Sequence, residues 1–121
     1  MSQIAISKIT IDTAGGAGAA VGSGTTIPIN GFLLDVFIAY QAAAPATTDV
    51  TISDPTFGNL VVKSNNATNI WLAPRKATCD AAGADNGLAD LIPLNAPLTI
   101  SLAQCDALTA AAVITVRFLL P

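Results

Sequence analysis

Asp80, Asp85 and Asp90 fall in one short stretch, and no basic residue lies between Cys79 and Asp106. Clustered oxygen ligands are what calcium prefers, and a suitably spaced carboxylate pair is what acid–base hydrolysis needs. The spacing does not fit a calcium-binding loop, and Asp85-Asn86-Gly87 is a good turn in its own right. With eight Asp scattered along the chain, nothing singles out a pair. They read as solvated loop acids. No catalytic residue, metal ligand or cofactor-binding residue is assigned.

Other chemical candidates thin out in the same way. Gly16-Ala17-Gly18-Ala19-Ala20-Val21-Gly22 loosely resembles a dinucleotide loop, but the third glycine is displaced and Pro28 follows where a helix should start. Cys79 and Cys105 are most simply read as reduced thiols acting as small buried hydrophobes; a disulfide between them is the lesser alternative. Trp71 reads first as a core or interface aromatic and second as a sugar-stacking platform. Arg75-Lys76 is the only adjacent basic pair: a solvated loop, or a contact with an acidic partner surface. Asn66-Ala67-Thr68 has the form of a glycosylation sequon, which has no use without export.

Composition removes whole classes. Of 121 residues, 52% are hydrophobic and 11% charged, with five Lys or Arg, eight Asp and neither Glu nor His. A usual soluble domain is about 25% charged. Disorder calls for low hydrophobicity and high charge; this chain has the reverse. A net charge of -3 with dispersed basic residues argues against nucleic-acid binding. Without His there is no imidazole for general base catalysis. The Met1-Ser2-Gln3 start leads into a polar–apolar alternation, so no signal peptide is expected. The long uncharged stretch from Thr13 to Leu34 is broken by six glycines and a proline, which rules out a membrane span there.

The elements that must hold these residues read as strands. Thirteen Thr join many Val and Ile, a composition suited to a pleated, half-buried surface. Leu98, Ile100 and Leu102 alternate with Thr99 and Ser101, the cleanest half-buried strand in the chain. From Ala111 to Leu120, residues Ile114, Val116, Phe118 and Leu120 share one face. Gly31 to Tyr40 sets Phe32, Leu34, Val36, Ile38 and Tyr40 against Leu33, Asp35, Phe37 and Ala39, and the apolar second face predicts a strand covered on both sides. Shorter strands are expected at Ile4 to Asp12, Thr48 to Ser53, Leu60 to Lys63 and Asn69 to Ala73. The apolar parity changes between Ile4/Ile6 and Ile9/Ile11, which predicts a bulge near Ser7-Lys8. Asp54 to Asn59 reads as a hairpin turn and Asn65 to Asn69 as a polar turn. Ala42 to Pro45 and Cys79 to Leu88 read as Ala-rich connections, and Gly15 to Gly24 as a flexible loop. The expectation is one all-β domain over residues 1–121, an antiparallel β-sandwich or jelly roll of seven or eight short strands. Residues 1–12 form an N-terminal strand or arm and 13–24 a Gly/Ala-rich loop.

What composition leaves is the shortage of charge itself. Thirteen ionised side chains cover a small domain thinly, as expected where much of the surface is buried against copies or a partner.

Several segments in order carry a resemblance: Ile9 to Ala17, a strand entered through Gly31, Asp49-Val50-Thr51-Ile52-Ser53, Trp71-Leu72-Ala73-Pro74-Arg75, Ile92 to Ile100, and Val113-Ile114-Thr115-Val116. Over nearly the whole chain this layout resembles the small head decoration, or cement, proteins of tailed bacteriophages. The glycine-rich insert and the low charge depart from that pattern. The resemblance implies a non-enzymatic β-sandwich subunit on the outer surface of the virion, made in the host cytoplasm. It implies a homotrimer ahead of a homodimer, bridging major capsid proteins, with no nucleic-acid or membrane partner and no cofactor. Ile4, Ile6 and Lys8 of the N-terminal arm, with Arg75 and Lys76, are the expected capsid contacts. A carbohydrate- or receptor-binding module of a phage or bacterial adhesin, using Trp71, is the alternative.

Overall fold

A computed structural model describes residues 3–121; Met1 and Ser2, where the expected arm begins, lie outside the described residues. Eleven strands follow one another: β1 (Ile4–Ile11), β2 (Ala20–Thr25), β3 (Ile29–Tyr40), β4 (Asp49–Asp54), β5 (Gly58–Lys63), β6 (Ile70–Leu72), β7 (Lys76–Cys79), β8 (Asp85–Asp90), β9 (Ile92–Ala96), β10 (Thr99–Cys105) and β11 (Ala112–Leu119). All pairings between these strands are antiparallel. One sheet runs β1-β11-β3 and then β6 or β9, both of which pair with β3; the other runs β2-β10-β4-β5. With β6 and β9 sharing one place, this is the alternating order of an eight-position, double-sheet jelly roll. The excess over the seven or eight strands expected has a simple source: the sixth position is split in two, and the β7–β8 hairpin is inserted at the split.

The core lies between the sheets. Ile11, Ile29, Leu33, Ile38, Ile52, Leu98, Ile100, Leu102 and Ile114 are fully buried, and each such side chain contributes about 1.5–3 kcal/mol by leaving water. Strands β10 and β11 point their alternating apolar residues inward as their sequence demands: Leu98, Ile100, Leu102, Ile114, Val116 and Phe118 are all buried.

The expectations for β1 and β3 are corrected. The ladder between β1 and β11 runs unbroken from Ile4↔Leu119 to Ile11↔Ala112, so there is no bulge at Ser7-Lys8. Ser7 points inward and is buried, while Ile4 and Ile6 share the outer face with Lys8. The bulge is in β3 instead: Arg117 faces Asp35 and Phe118 faces Leu33, leaving Leu34 without a partner on β11. The inward set on β3 therefore switches from Ile29, Gly31 and Leu33 to Val36, Ile38 and Tyr40, and Phe32 faces out. Nor is β3 covered on both sides, since Phe32 stays exposed and Phe37 is only half-buried.

Much of the stretch read as a flexible loop is strand β2, paired with β10. Its glycines are packing residues. A Cβ on Gly22 would stand 2.1 Å from the Asp12 carbonyl oxygen, and one on Gly24 would stand 2.7 Å from the Ile11 side chain. The Ala-rich stretch after Cys79 is likewise a turn and strand β8, not a plain connection. Cys105 is buried as expected of a small hydrophobe, whereas Cys79 is exposed on the hairpin; both are free thiols.

Candidate interaction face

The outer face of the β1-β11-β3 sheet is built in cross-strand rows, because residues opposite each other in a ladder share a face. Ile4, Leu119, Phe32 and Pro93 make one row. Ile6, Arg117 and Asp35 make the next, and Lys8, Thr115, Phe37 and Trp71 a third. Four large apolar side chains here are well exposed: Ile4 57%, Ile6 60%, Phe32 42% and Trp71 54%. Exposed apolar side chains standing singly need no explanation, but a contiguous set on one sheet marks an interaction surface.

The charge at the centre of this face is internally cancelled. Arg117 donates from Nε to Asp35 Oδ1 at 2.7 Å and from Nη2 to Oδ2 at 2.5 Å. Asp35 pushes the guanidinium's pKa above its ordinary value through these hydrogen bonds, so Arg117 stays charged and paired. The Arg117 guanidinium also lies 5.1 Å from the Trp71 ring centroid, within cation–π range. Phe37 completes the group, with ring centroids 4.6 Å apart from Trp71 and planes tilted by 36°. Ion pair and aromatic pair thus form one neutral, flat cluster.

The other outer face is different in kind. Ser23, Ser101, Thr51 and the exposed Val62 make one row and Thr25, Thr99, Ser53 and Asn59 the next. Small hydroxyls keep their hydrogen bonds with water without needing charge, so the β2-β10-β4 part of this side suits solvent.

The five residues expected to contact a partner do not form one patch. Ile4, Ile6 and Lys8 line the free margin of the sheet on β1. Arg75 and Lys76 sit at the far margin, beyond β3, where β6 gives way to the hairpin. Arg75 has a local structural task. Leu34 and Asp35 lie in the gap between the segments of β3 that pair with β9 and with β6, and Arg75 Nη1 donates to the Leu34 carbonyl at 2.8 Å, capping the bulge. Lys76 Nζ lies 5.6 Å from the centre of the Phe57 ring. The two margins are joined by Arg117, Asp35, Phe32 and Phe37, which sequence reasoning missed. Their signal was weak: opposite charges at positions that become neighbours only once the β3–β11 register is known.

The acids and the Gly-rich segment build no site of their own. Asp80 accepts hydrogen bonds from the Ala82 and Ala84 amides, and Asp85 accepts one from Gly87. Among the described residues no three His, Cys, Asp or Glu side chains gather around a common point. Gly18 donates its amide to the Asp106 carboxylate, which caps the turn leading into β2. An open cleft of about 390 Å³ is lined by Asn30, Phe32, Phe57, Pro93 and Asn95 among others, and it shares Phe32 and Pro93 with the outer face. A scan against protein-family models matches none, and a search of curated proteins finds no match.

Proposed function

We propose that this chain is a structural virion protein, a decoration or cement subunit. It sits as a homotrimer on the outside of a phage head and stabilises contacts between major capsid proteins. One observation carries the reading: the aromatic outer face, on which Ile4, Ile6, Phe32 and Trp71 stand exposed around a self-neutralised Arg117–Asp35 pair. Burying that face returns apolar area to the interior, and its central charges enter already paired, which makes their desolvation less costly than that of lone charges. A subunit that binds only the assembled shell stabilises the shell by mass action, and many copies multiply modest contacts. The jelly roll hosts many functions and adds only analogy.

The test uses source particles with and without this protein. Particles lacking it should burst at lower temperature and under milder osmotic shock, and mass spectrometry of purified virions should detect the chain. Its absence from purified virions, or unchanged shell stability on its removal, would count against cementing. The glycan-binding alternative draws on the same exposed Trp71, but Phe37 and Arg117 already compete for the ring faces a sugar would use. Strong signals on a glycan array, lost on Trp71→Ala, would favour it instead.

A further inference from the structure

The β7–β8 hairpin is inserted at the split sixth strand position and adds nothing to the core. All residues from Ala81 to Asp90 are exposed, including Leu88 at 66%. A two-stranded hairpin standing alone in water is marginal, and it gains independent stability from a further strand or an apolar surface to lie on. This one is also acidic. Asp80, Asp85 and Asp90 accept hydrogen bonds from backbone amides within or next to the hairpin. None of them closes an ion pair among the described residues, where Arg117–Asp35 is the ion pair formed. Lys76 faces Asp90 across the β7–β8 ladder, which leaves Asp80 and Asp85 as the acids with no cation opposite them.

The opposite margin of the same sheet has the complementary character. β1 pairs with β11 on one side only, leaving an unpaired edge. Along that edge Ile4, Ile6 and Lys8 face outward in alternation, and Lys8 forms no ion pair among the described residues. Within one chain the two features cannot meet, because β11 and β3 lie between them. Between chains they can. We propose that the hairpin is an arm that docks on the β1 margin of a second copy of this chain. Leu88 would cover Ile4 and Ile6, and the hairpin acids would surround Lys8. Such a contact joins unlike surfaces head to tail and closes into a ring where the rotation allows. It deepens the homotrimer of the proposed function and rests on that self-association, not on the contact with the shell. It assigns the β1 margin to a sister subunit and leaves the Phe32–Trp71–Arg117 part of the face to the shell.

The experiment measures self-association of the purified full chain by sedimentation velocity over a concentration series, in low and high salt. Wild type should associate, less so at high salt. Lys8→Asp alone, and Asp85→Lys alone, should each weaken association roughly tenfold or more by placing like charges together. Asp90 is left in place because it faces Lys76 across its own ladder. Mixing the two variants should restore association between unlike chains, since each then offers the charge the other needs. A closed ring of three, which must place two like variants side by side, stays weakened. Lys63→Asp is the control and should leave association unchanged: Lys63 ends β5, and β5 shares a cleft with hairpin residue Lys76, so it belongs to the hairpin's own side. Circular dichroism checks that each variant is folded, and Leu88→Ser repeats the test without touching charge. A wild-type chain that stays monomeric throughout overturns the proposal, as does a mixture that fails to associate or a Lys63→Asp effect equal to that of Lys8→Asp. A monomer that still protected shells would leave the decoration reading standing without its homotrimer and remove this proposal.

Discussion

Arg117 on β11 and Asp35 on β3 are direct partners in the ladder, and their side chains close a two-pronged ion pair beneath Trp71's exposed ring. Pairing across the ladder is what cancels the charge at the centre of this face, while Lys8 keeps its charge at the β1 margin. The side chains remain 39% and 19% exposed, so solvent screens much of their attraction. Arg117→Ala should therefore cost no more than about 1 kcal/mol in urea denaturation. Replacing both, Arg117→Met with Asp35→Leu, should be close to neutral. A loss above about 3 kcal/mol for Arg117→Ala would mean that the pair is structural and not a feature of an interaction face.

Gly22 and Gly16 lie close together in one low-complexity segment and should respond in opposite ways to the same change. A Cβ on Gly22 meets the Asp12 carbonyl oxygen at 2.1 Å, which is backbone and cannot swing aside, whereas a Cβ on Gly16 meets nothing within 4 Å. Gly22→Ala should destabilise by at least about 2 kcal/mol through overpacking. Gly16→Ala should be neutral or stabilising by up to about 1 kcal/mol through the unfolded chain. Thermal unfolding of both variants decides it; equal effects would contradict the seating of β2 against the end of β1.

The legible parts of this fold are those where period-2 alternation is unbroken: in β10 polar and apolar residues divide cleanly, and in β11 the inward Ile114, Val116 and Phe118 alternate with Thr115 and Arg117. The misread parts were places where tertiary contact overrode pattern. In β1 the parity change suggested a bulge, but the strand stays in register, Ser7 goes inside, and Ile4 and Ile6 are left outside. In β3 nearly every residue is apolar, so the sequence could not say which face was inner, and the bulge at Leu34 left no local mark. Gly22 and Gly24 looked like flexibility because a glycine required by a neighbour's backbone is written the same way as a glycine in a loop. Of the residues on this outer face, Ile4, Ile6, Lys8 and Trp71 are the ones the sequence reading names. Arg117 and Asp35 depend on a pairing of residues far apart in the chain, which composition and spacing do not encode.

Tyr40 supplies a pH test. Its hydroxyl is buried without a hydrogen-bond partner: Asn66 is near enough to bias the phenol downward, yet completes no bond with it. Burial, the largest influence, raises the phenol's pKa above the ordinary 10.0, with the Asp49 charge adding to it. Between the ordinary and the raised value the folded phenol keeps a proton that the unfolded phenol has lost. The unfolded state then binds fewer protons, and stability falls as pH climbs from about 10 through the folded pKa, remaining intact below that window. Tyr40→Phe should remove this alkaline loss. At neutral pH it should be neutral or stabilising by up to about 1 kcal/mol, since it deletes an unsatisfied polar atom. Urea titrations of both proteins at pH 7 and above pH 10 measure the difference. A Phe variant that lost stability with pH as steeply as wild type would show that the phenol does not couple to folding.

Ile6 and Ile38 separate the two faces of one sheet. Ile38 is fully buried and Ile6 is 60% exposed, so the same substitution samples core on one strand and surface on another. Ile38→Ala should destabilise by about 2–5 kcal/mol through lost burial and the cavity left behind. Ile6→Ala should change stability by no more than about 0.5 kcal/mol in the isolated chain. The contrast bears on the corrected parity of β1, because a bulge near Ser7-Lys8 would change which of these residues point inward. It also bears on function. If the outer face is held in contact by neighbours, Ile6→Ser should leave the melting temperature of the dilute, monomeric chain nearly unchanged and should show its cost only where copies associate or the subunit is assembled. The measurement is retention on particles under dilution, set beside the subunit's own melting temperature. A variant that melts early and is retained normally would put Ile6 in the core and withdraw it from the interaction face.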